Sequence, residues 1–104
     1  LDDNTTEFMV LEYDSDIIGQ LRFDFDEKYP VISISLNKKY RGLGLSKYLL
    51  NKGINYIKEN YNQNTLIADI KKSNARSISF FEAMGFKKEY EIRNGSALRF
   101  IYRG

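Results

Sequence analysis

The chain reads as an α+β fold: one mixed, mostly antiparallel sheet, a long helix and a short second helix. Three observations lead there. Apolar and polar residues alternate along 19–26 and again along 31–36, the period of half-buried strands. From Gly44 to Tyr61 the apolar period lengthens to that of a helix. Short strand-like runs and one short helical run then follow, divided by turn residues. A run of strands ahead of the first helix favours an antiparallel sheet over regular βαβ alternation.

Residues 8–13 favour a strand, and Asp14, Ser15 and Asp16 form a turn cluster. The second strand sets Leu21, Phe23 and Phe25 on one face, and Gln20, Arg22, Asp24 and Asp26 on the other. Residues 26–30 turn the chain. In 31–36, Ile32, Ile34 and Leu36 alternate with Val31, Ser33 and Ser35. In the helix over 44–61, Leu45, Leu49, Leu50, Gly53, Ile54, Tyr56, Ile57 and Tyr61 share one half of the circumference. So wide an apolar arc fits a helix lying on a sheet better than a coiled-coil seam. The apolar run 66–70 is consistent with a central strand. Asn74 is placed to cap a helix over 75–84, with Ile78, Phe80, Phe81 and Met84 on its apolar side and Gly85 as its stop. Asn94-Gly95 predicts a hairpin turn between strands at 90–92 and 97–102.

Composition removes several classes of chemistry. The 104 residues suffice for a single domain with its own core, and 42% apolar with 29% charged residues argues against disorder. With no cysteine and no histidine, disulfides, thiolate or imidazole metal sites and Ser-His-Asp triads are excluded, and no metal site is expected. A net charge of +2 is too balanced to indicate nucleic acid, and an RNA-recognition sheet would follow a different element order. No apolar run reaches the ~18–20 residues that span a bilayer. No secretory leader pattern is visible. Neither a nucleic-acid nor a membrane partner is expected, and the location expected is cytoplasmic.

The most informative stretch is Asn37-Lys38-Lys39-Tyr40-Arg41-Gly42-Leu43-Gly44-Leu45-Ser46, between a strand and the long helix. A helix N-terminus presents unpaired N–H groups and partial positive charge, which suits a phosphate. Gly42 and Gly44 remove Cβ atoms that would block an anion, Lys38, Lys39 and Arg41 add charge, and Ser46 brings a hydroxyl. The segment matches neither GxxxxGK[ST] nor GxGxxG. Taken alone, it is equally compatible with a tight solvated turn.

Its context is more specific. Arg41 to Ser46 resembles the R/Q-x-x-G-x-G/A loop of the GNAT superfamily of N-acetyltransferases, with Ser46 departing at the last position. Asn74 to Phe86, Asn-Ala-Arg-Ser-Ile-Ser-Phe-Phe-Glu-Ala-Met-Gly-Phe, is similar to that family's N-x-x-(A/S)-x-x-(F/L)-(Y/F)-x-x-x-G-F segment. The resemblance covers about residues 10–102.

The resemblance implies a GNAT-like fold and acetyl-CoA as co-substrate, held where strands 31–36 and 66–70 splay apart. Pantetheine amides would pair near Ser35 and Leu36, and the pyrophosphate would lie on Arg41, Gly42, Leu43, Gly44, Leu45 and Ser46. Asn74 would contact the pantetheine arm, with Phe80 and Phe81 beside the thioester; core packing is the alternative role for both. Acetyl would pass directly to a primary amine, with the Leu36 N–H as oxyanion donor. The family's usual tyrosine acid is replaced by Phe81, leaving water, Ser77, Tyr40 or Tyr48. Candidate bases are Asp24, Asp26 and Asp69. Asp24 and Asp26 are equally a polar strand face.

The family's usual first strand and first helices have no counterpart ahead of the strand pair, so 1–104 is expected to be one GNAT-like domain lacking them. A fused or adjacent N-terminal domain, or a second copy forming a homodimer, would then complete the acceptor site. For the acceptor the resemblance points first to amino sugars linked to nucleotides, with protein N-termini and polyamines as alternatives. A non-catalytic acyl-CoA-binding module is the competing class.

Overall fold

The computed structural model describes residues 6–104. Six strands form one sheet in the order β1-β2-β3-β4-β6-β5: β1 Thr6–Tyr13, β2 Asp16–Asp24, β3 Val31–Leu36, β4 Thr65–Lys71, β5 Lys87–Ile92 and β6 Ala97–Arg103. Helix α1, Leu45–Tyr61, joins β3 to β4, and α2, Ala75–Ala83, joins β4 to β5. Every neighbouring pair is antiparallel except β3 with β4. The order of elements is the one the sequence predicts.

The boundaries moved for local reasons. Asp14 and Ser15 both take positive φ, 53° and 66°, so a two-residue turn closes the first hairpin and β2 starts at Asp16, three residues ahead of Gly19. β2 then ends at Asp24, which leaves Asp26 beyond the strand. The second hairpin turns through Arg93, Asn94 and Gly95, all at positive φ, and β5 is longer than the predicted 90–92. Met84 caps α2 instead of extending it, and Gly85 follows at φ +97°.

Both helices cover the same face of the sheet. Leu21 and Phe23 of β2, Ile32 of β3, Leu66, Ala68 and Ile70 of β4, and Leu98 and Phe100 of β6 pack there with Leu49, Leu50 and Ile57 of α1 and Phe81 of α2. Gly53 lets α1 approach closely: a Cβ there would lie 2.8 Å from Leu21 Cδ1 and 3.2 Å from Phe23 Cζ. Register places Gln20, Arg22, Ser33, Ser35, Asp69 and Arg99 on the opposite face. That face also shows Phe8 and Val10 of β1, 59% and 44% exposed, so it is partly apolar and open.

Candidate functional site

β3 and β4 share one rung. Val31 stands opposite Ile67, and the Ile67 N–H donates to the Pro30 carbonyl at 2.9 Å. Both strands continue past it, β3 to Leu36 and β4 to Lys71, without pairing again. The gap they leave is a V. Successive strand residues direct their backbone groups to opposite sides. Pro30 bonds towards β4, whereas the Asn37 N–H donates to Ile18 on β2 at 2.8 Å. By that alternation Ser33 and Ser35 serve β2, and Ile34 and Leu36 direct their N–H and C=O groups into the V.

On the helical side of the V lies a cavity of about 900 Å³. Ile34 and Leu36 line it from β3, Arg41, Gly42 and Gly44 from the loop, and Leu45, Ser46 and Lys47 from α1; Asn74, Arg76, Ser77 and Phe80 close it from α2 and its cap. Arg41, Lys47 and Arg76 bring three cations, and no acidic residue among the described residues lines it. None of the three has an ion pair among the described residues.

The loop is shaped by backbone conformation. Gly42 and Gly44 hold φ of +81° and +75°, yet a Cβ at either would meet nothing within 4 Å. Left-handed backbone, not crowding by the protein, is therefore what requires glycine here. Gly44 caps α1 with no side-chain hydrogen bond. The amides from Gly42 to Lys47 find no acceptor among the described residues, so the positive end of α1 faces the cavity. Across from it, Asn74 Oδ1 accepts the Ser77 N–H at 3.2 Å, which leaves the Asn74 Nδ2 donors free of protein partners among the described residues.

The fold thus gathers Leu36, Arg41, Gly42, Gly44, Leu45, Ser46, Asn74, Ser77 and Phe80 around one cavity. Five residues expected around the anion and the thioester lie elsewhere, Lys38 among them. Ser35 points to the opposite face, and its backbone serves β2. Leu43 is 67% exposed, outside the lining. Phe81 is in the core, edge-on to Phe86 with ring centroids 5.0 Å apart, because adjacent helical residues diverge by about 100° and only Phe80 reaches the cavity. Lys39 is paired with Asp16 at 2.8 Å, away from the lining. Ile34, Lys47 and Arg76 were not singled out by the sequence reading. Alternation with Leu36 was the available signal for Ile34; Lys47 and Arg76 had none beyond lying in the first turn of a helix.

Neither Tyr40 nor Tyr48 lines the large cavity. Tyr40 donates its hydroxyl to Asp16 Oδ2 at 2.6 Å, and that carboxylate pushes the phenol's pKa up. Tyr48 is exposed, with Lys52 Nζ 5.6 Å from its ring centre.

Asp24 and Asp26 border a second cavity of about 250 Å³ with Arg22, Glu27, Val31, Asp69 and Arg93. The register of Arg22, Asp24, Val31 and Asp69 puts it on the face opposite the helices, beside the foot of the V. Asp24 accepts from Thr6 Oγ1 at 2.9 Å and from Arg22 Nε at 3.2 Å. Arg99 grips Asp69 through Nε and Nη2, both at 2.9 Å, and Glu27 through Nη1 and Nη2 at 2.6 and 2.9 Å. Asp69 first and Glu27 next push the Arg99 pKa up, and Arg99 holds Glu27 below the usual carboxylate value. Asp26 has no partner among the described residues.

The profile of the Acetyltransferase (GNAT) family matches residues 1–86. The chain belongs to that family. An N-alpha-acetyltransferase of Sulfurisphaera tokodaii is 27% identical over 100 residues, covering 84% of this chain and 60% of that protein. Among solved structures, a mutant of the spermidine N-acetyltransferase SpeG from Vibrio cholerae superposes with a TM-score of 0.86 at 18% identity, over 97% of this chain and 66% of that one. SpeG in complex with manganese ions gives a TM-score of 0.80 over the same shares. At 18% identity this likeness is one of fold. The GNAT chain therefore spans somewhat less than two thirds of these proteins' length.

Proposed function

We propose that this GNAT chain binds acetyl-CoA in the large cavity and serves direct transfer of acetyl to a primary amine. The observation that carries the reading is convergence: among the described residues, amides from Gly42 to Lys47 without acceptors, three cations without ion pairs and the free edge of β3 meet in one cavity that no carboxylate lines. A diphosphate suits the amides and cations, and an amide-bearing arm suits the Ile34 and Leu36 edge as an added strand would. Acetyl-CoA supplies an acetyl thioester, whose acyl carbon bonds to the amine nitrogen as its bond to sulfur breaks; the amine gives up one proton, and the departing thiolate takes one from water and leaves as the free thiol of CoA. The chain's part is positional. The Leu36 N–H points into the V as donor to an oxyanion, Asn74 Nδ2 holds the arm, and Phe80 shields the reacting end from water. Ser46 and Ser77 bring the hydroxyls of the lining, and with no cysteine or histidine in the chain no acyl-cysteine or acyl-histidine can form.

The second cavity bears on the acceptor. Asp24, Asp26, Glu27 and Asp69 set four carboxylates against Arg22 and Arg93 on the other face of the same divergence, and Asp26 among them has no partner among the described residues. A cationic amine such as a polyamine suits that charge, whereas the diphosphate of a nucleotide-linked amino sugar would be repelled. The relatives point the same way, since one is an N-alpha-acetyltransferase and others are spermidine N-acetyltransferases. The open face with Phe8 and Val10 is where a preceding segment or a second copy would complete the acceptor site, and a dimeric mass by light scattering would support the latter. No helix among the described residues is long and apolar enough to cross a membrane; the proposed location is the cytoplasm.

Titration with acetyl-CoA tests the cofactor, since ligand at a hundredfold over Kd adds about 2.7 kcal/mol of stability. Thiol release with spermidine, an N-terminal peptide and a nucleotide-linked amino sugar then tests the acceptor. Absence of binding removes the proposal; binding without transfer to any amine reassigns the chain to acyl-CoA binding alone.

A further inference from the structure

We infer that Asp16, at the tip of the first hairpin, is a positioning residue for the glycine loop, acting through Tyr40. The inference rests on the proposed binding of acetyl-CoA and concerns how the chain prepares that site. Between β3 and the loop, residues Lys38–Tyr40 form one 3-10 turn. Protein contacts crowd onto it. The Asn37 side chain accepts the Lys39 N–H at 3.2 Å and donates to the Ile17 carbonyl at 3.2 Å, while its backbone N–H donates to Ile18 at 2.8 Å. Tyr40 donates its hydroxyl to Asp16 Oδ2 at 2.6 Å, and Lys39 Nζ meets the same oxygen at 2.8 Å. The last of these contacts, Arg41 N–H to the Lys38 carbonyl at 3.2 Å, closes the turn. From Gly42 to Lys47 the backbone amides then have no acceptor among the described residues.

The anchoring therefore stops where the anion-binding amides begin. A loop with two left-handed glycines has little stiffness of its own. Its aim is set at its two ends, by α1 on one side and by the clasped turn on the other. Asn37 fixes the start of that turn and Asp16 fixes its end, both on the first residues of β2. A preorganised loop binds a diphosphate without first having to be ordered.

Charge and position make opposite predictions here, which gives the test its edge. Asp16→Asn removes a negative charge near an anion site and releases Lys39, so electrostatics alone would tighten acetyl-CoA binding. The clasp requires the reverse. Asp16→Asn and Tyr40→Phe should each weaken acetyl-CoA by about threefold to tenfold, and the double variant should lose little more than either single one. S-acetylpantetheine, which lacks the diphosphate, should bind the variants and the parent chain alike. Amide ¹⁵N relaxation in the ligand-free chain should show Gly42 and Gly44 more mobile in both variants, a change that a general loss of stability would spread over the whole chain.

Unaltered acetyl-CoA affinity in both variants overturns the inference and leaves the cofactor proposal standing. Tighter binding in Asp16→Asn with no change in Tyr40→Phe also overturns it, since Asp16 would then act as a charge only. If the unsubstituted chain fails to bind acetyl-CoA, the cofactor proposal falls and this inference falls with it.

Discussion

Two cavities meet the same divergence of β3 and β4 from opposite faces, and they are chemical opposites. Among the described residues, the large one is lined by three cations and by amides without acceptors, and by no carboxylate. The small one is bordered by four carboxylates and two arginines, much of it locked in ion pairs. The large site gets its character from backbone, the small one from side chains. Backbone donors are fixed once the loop and helix are formed, so they favour one kind of group, an anion, whatever the side chains nearby. Side-chain charge is cheaper to alter.

The comparison is sharpened first by Arg99→Leu, which strands Asp69. The two side chains are 13% and 9% exposed, so removal of the guanidinium should cost about 3 kcal/mol in urea unfolding. Affinity for acetyl-CoA should be unchanged, because the damage stays on the acidic side. Gly44→Val acts on the other face. It forces a β-branched residue to φ near +75° at a cost of about 1–3 kcal/mol, which the loop escapes by changing shape. Calorimetry should show acetyl-CoA weakened by at least about thirtyfold, a loss of about 2 kcal/mol. Gly44→Asn should lose far less, since asparagine tolerates that region and a Cβ there meets nothing. Equal losses for Val and Asn would mean that space, not conformation, is what glycine provides.

Asp26→Asn should be milder. Removing the carboxylate that has no partner should raise KM for a cationic acceptor about fivefold, with stability within about 0.5 kcal/mol and acetyl-CoA affinity unaltered. A neutral acceptor analogue should show no such change. The smallest effect is on pH. Arg99 holds Glu27, and the hydroxyls of Tyr56 and then Tyr61 hold Glu7, below the usual carboxylate value of 4.5. Both contributions are complete above about pH 4.5 and are lost as pH falls through the lower folded values, so the melting temperature should drop below pH 4.5. Arg99→Leu should flatten part of that drop.

Local pattern carried the fold. Alternation exposed β2 and β3, the helical period exposed α1, and Asn74 with Gly85 bracketed α2. The start of β2 was hidden because Asp14 and Ser15 adopt positive φ, which neither residue advertises as glycine would. The loop half of the site was legible because glycines and a helix start are consecutive in sequence. Choosing between Ser35 and Leu36 for the free edge was not possible beforehand: that depends on which side of β3 carries β2, a tertiary fact. Choosing between Phe80 and Phe81 needed the helix's rotation. The Arg99 network joins residues 30 and 72 positions apart and leaves no local trace.

The single rung between β3 and β4 also divides the chain's folding. Residues 6–61 hold three strands paired in succession and the helix that covers them, and residues 65–104 hold the other three with their own helix. In the first half every strand pairs with the next in sequence, whereas in the second β6 lies between β4 and β5 and pairs with both. The halves then meet along a line stitched by one backbone pair and a shared apolar core. A cut in the exposed turn at Asn62 would therefore leave two pieces held together along that line by the shared apolar core and the single rung.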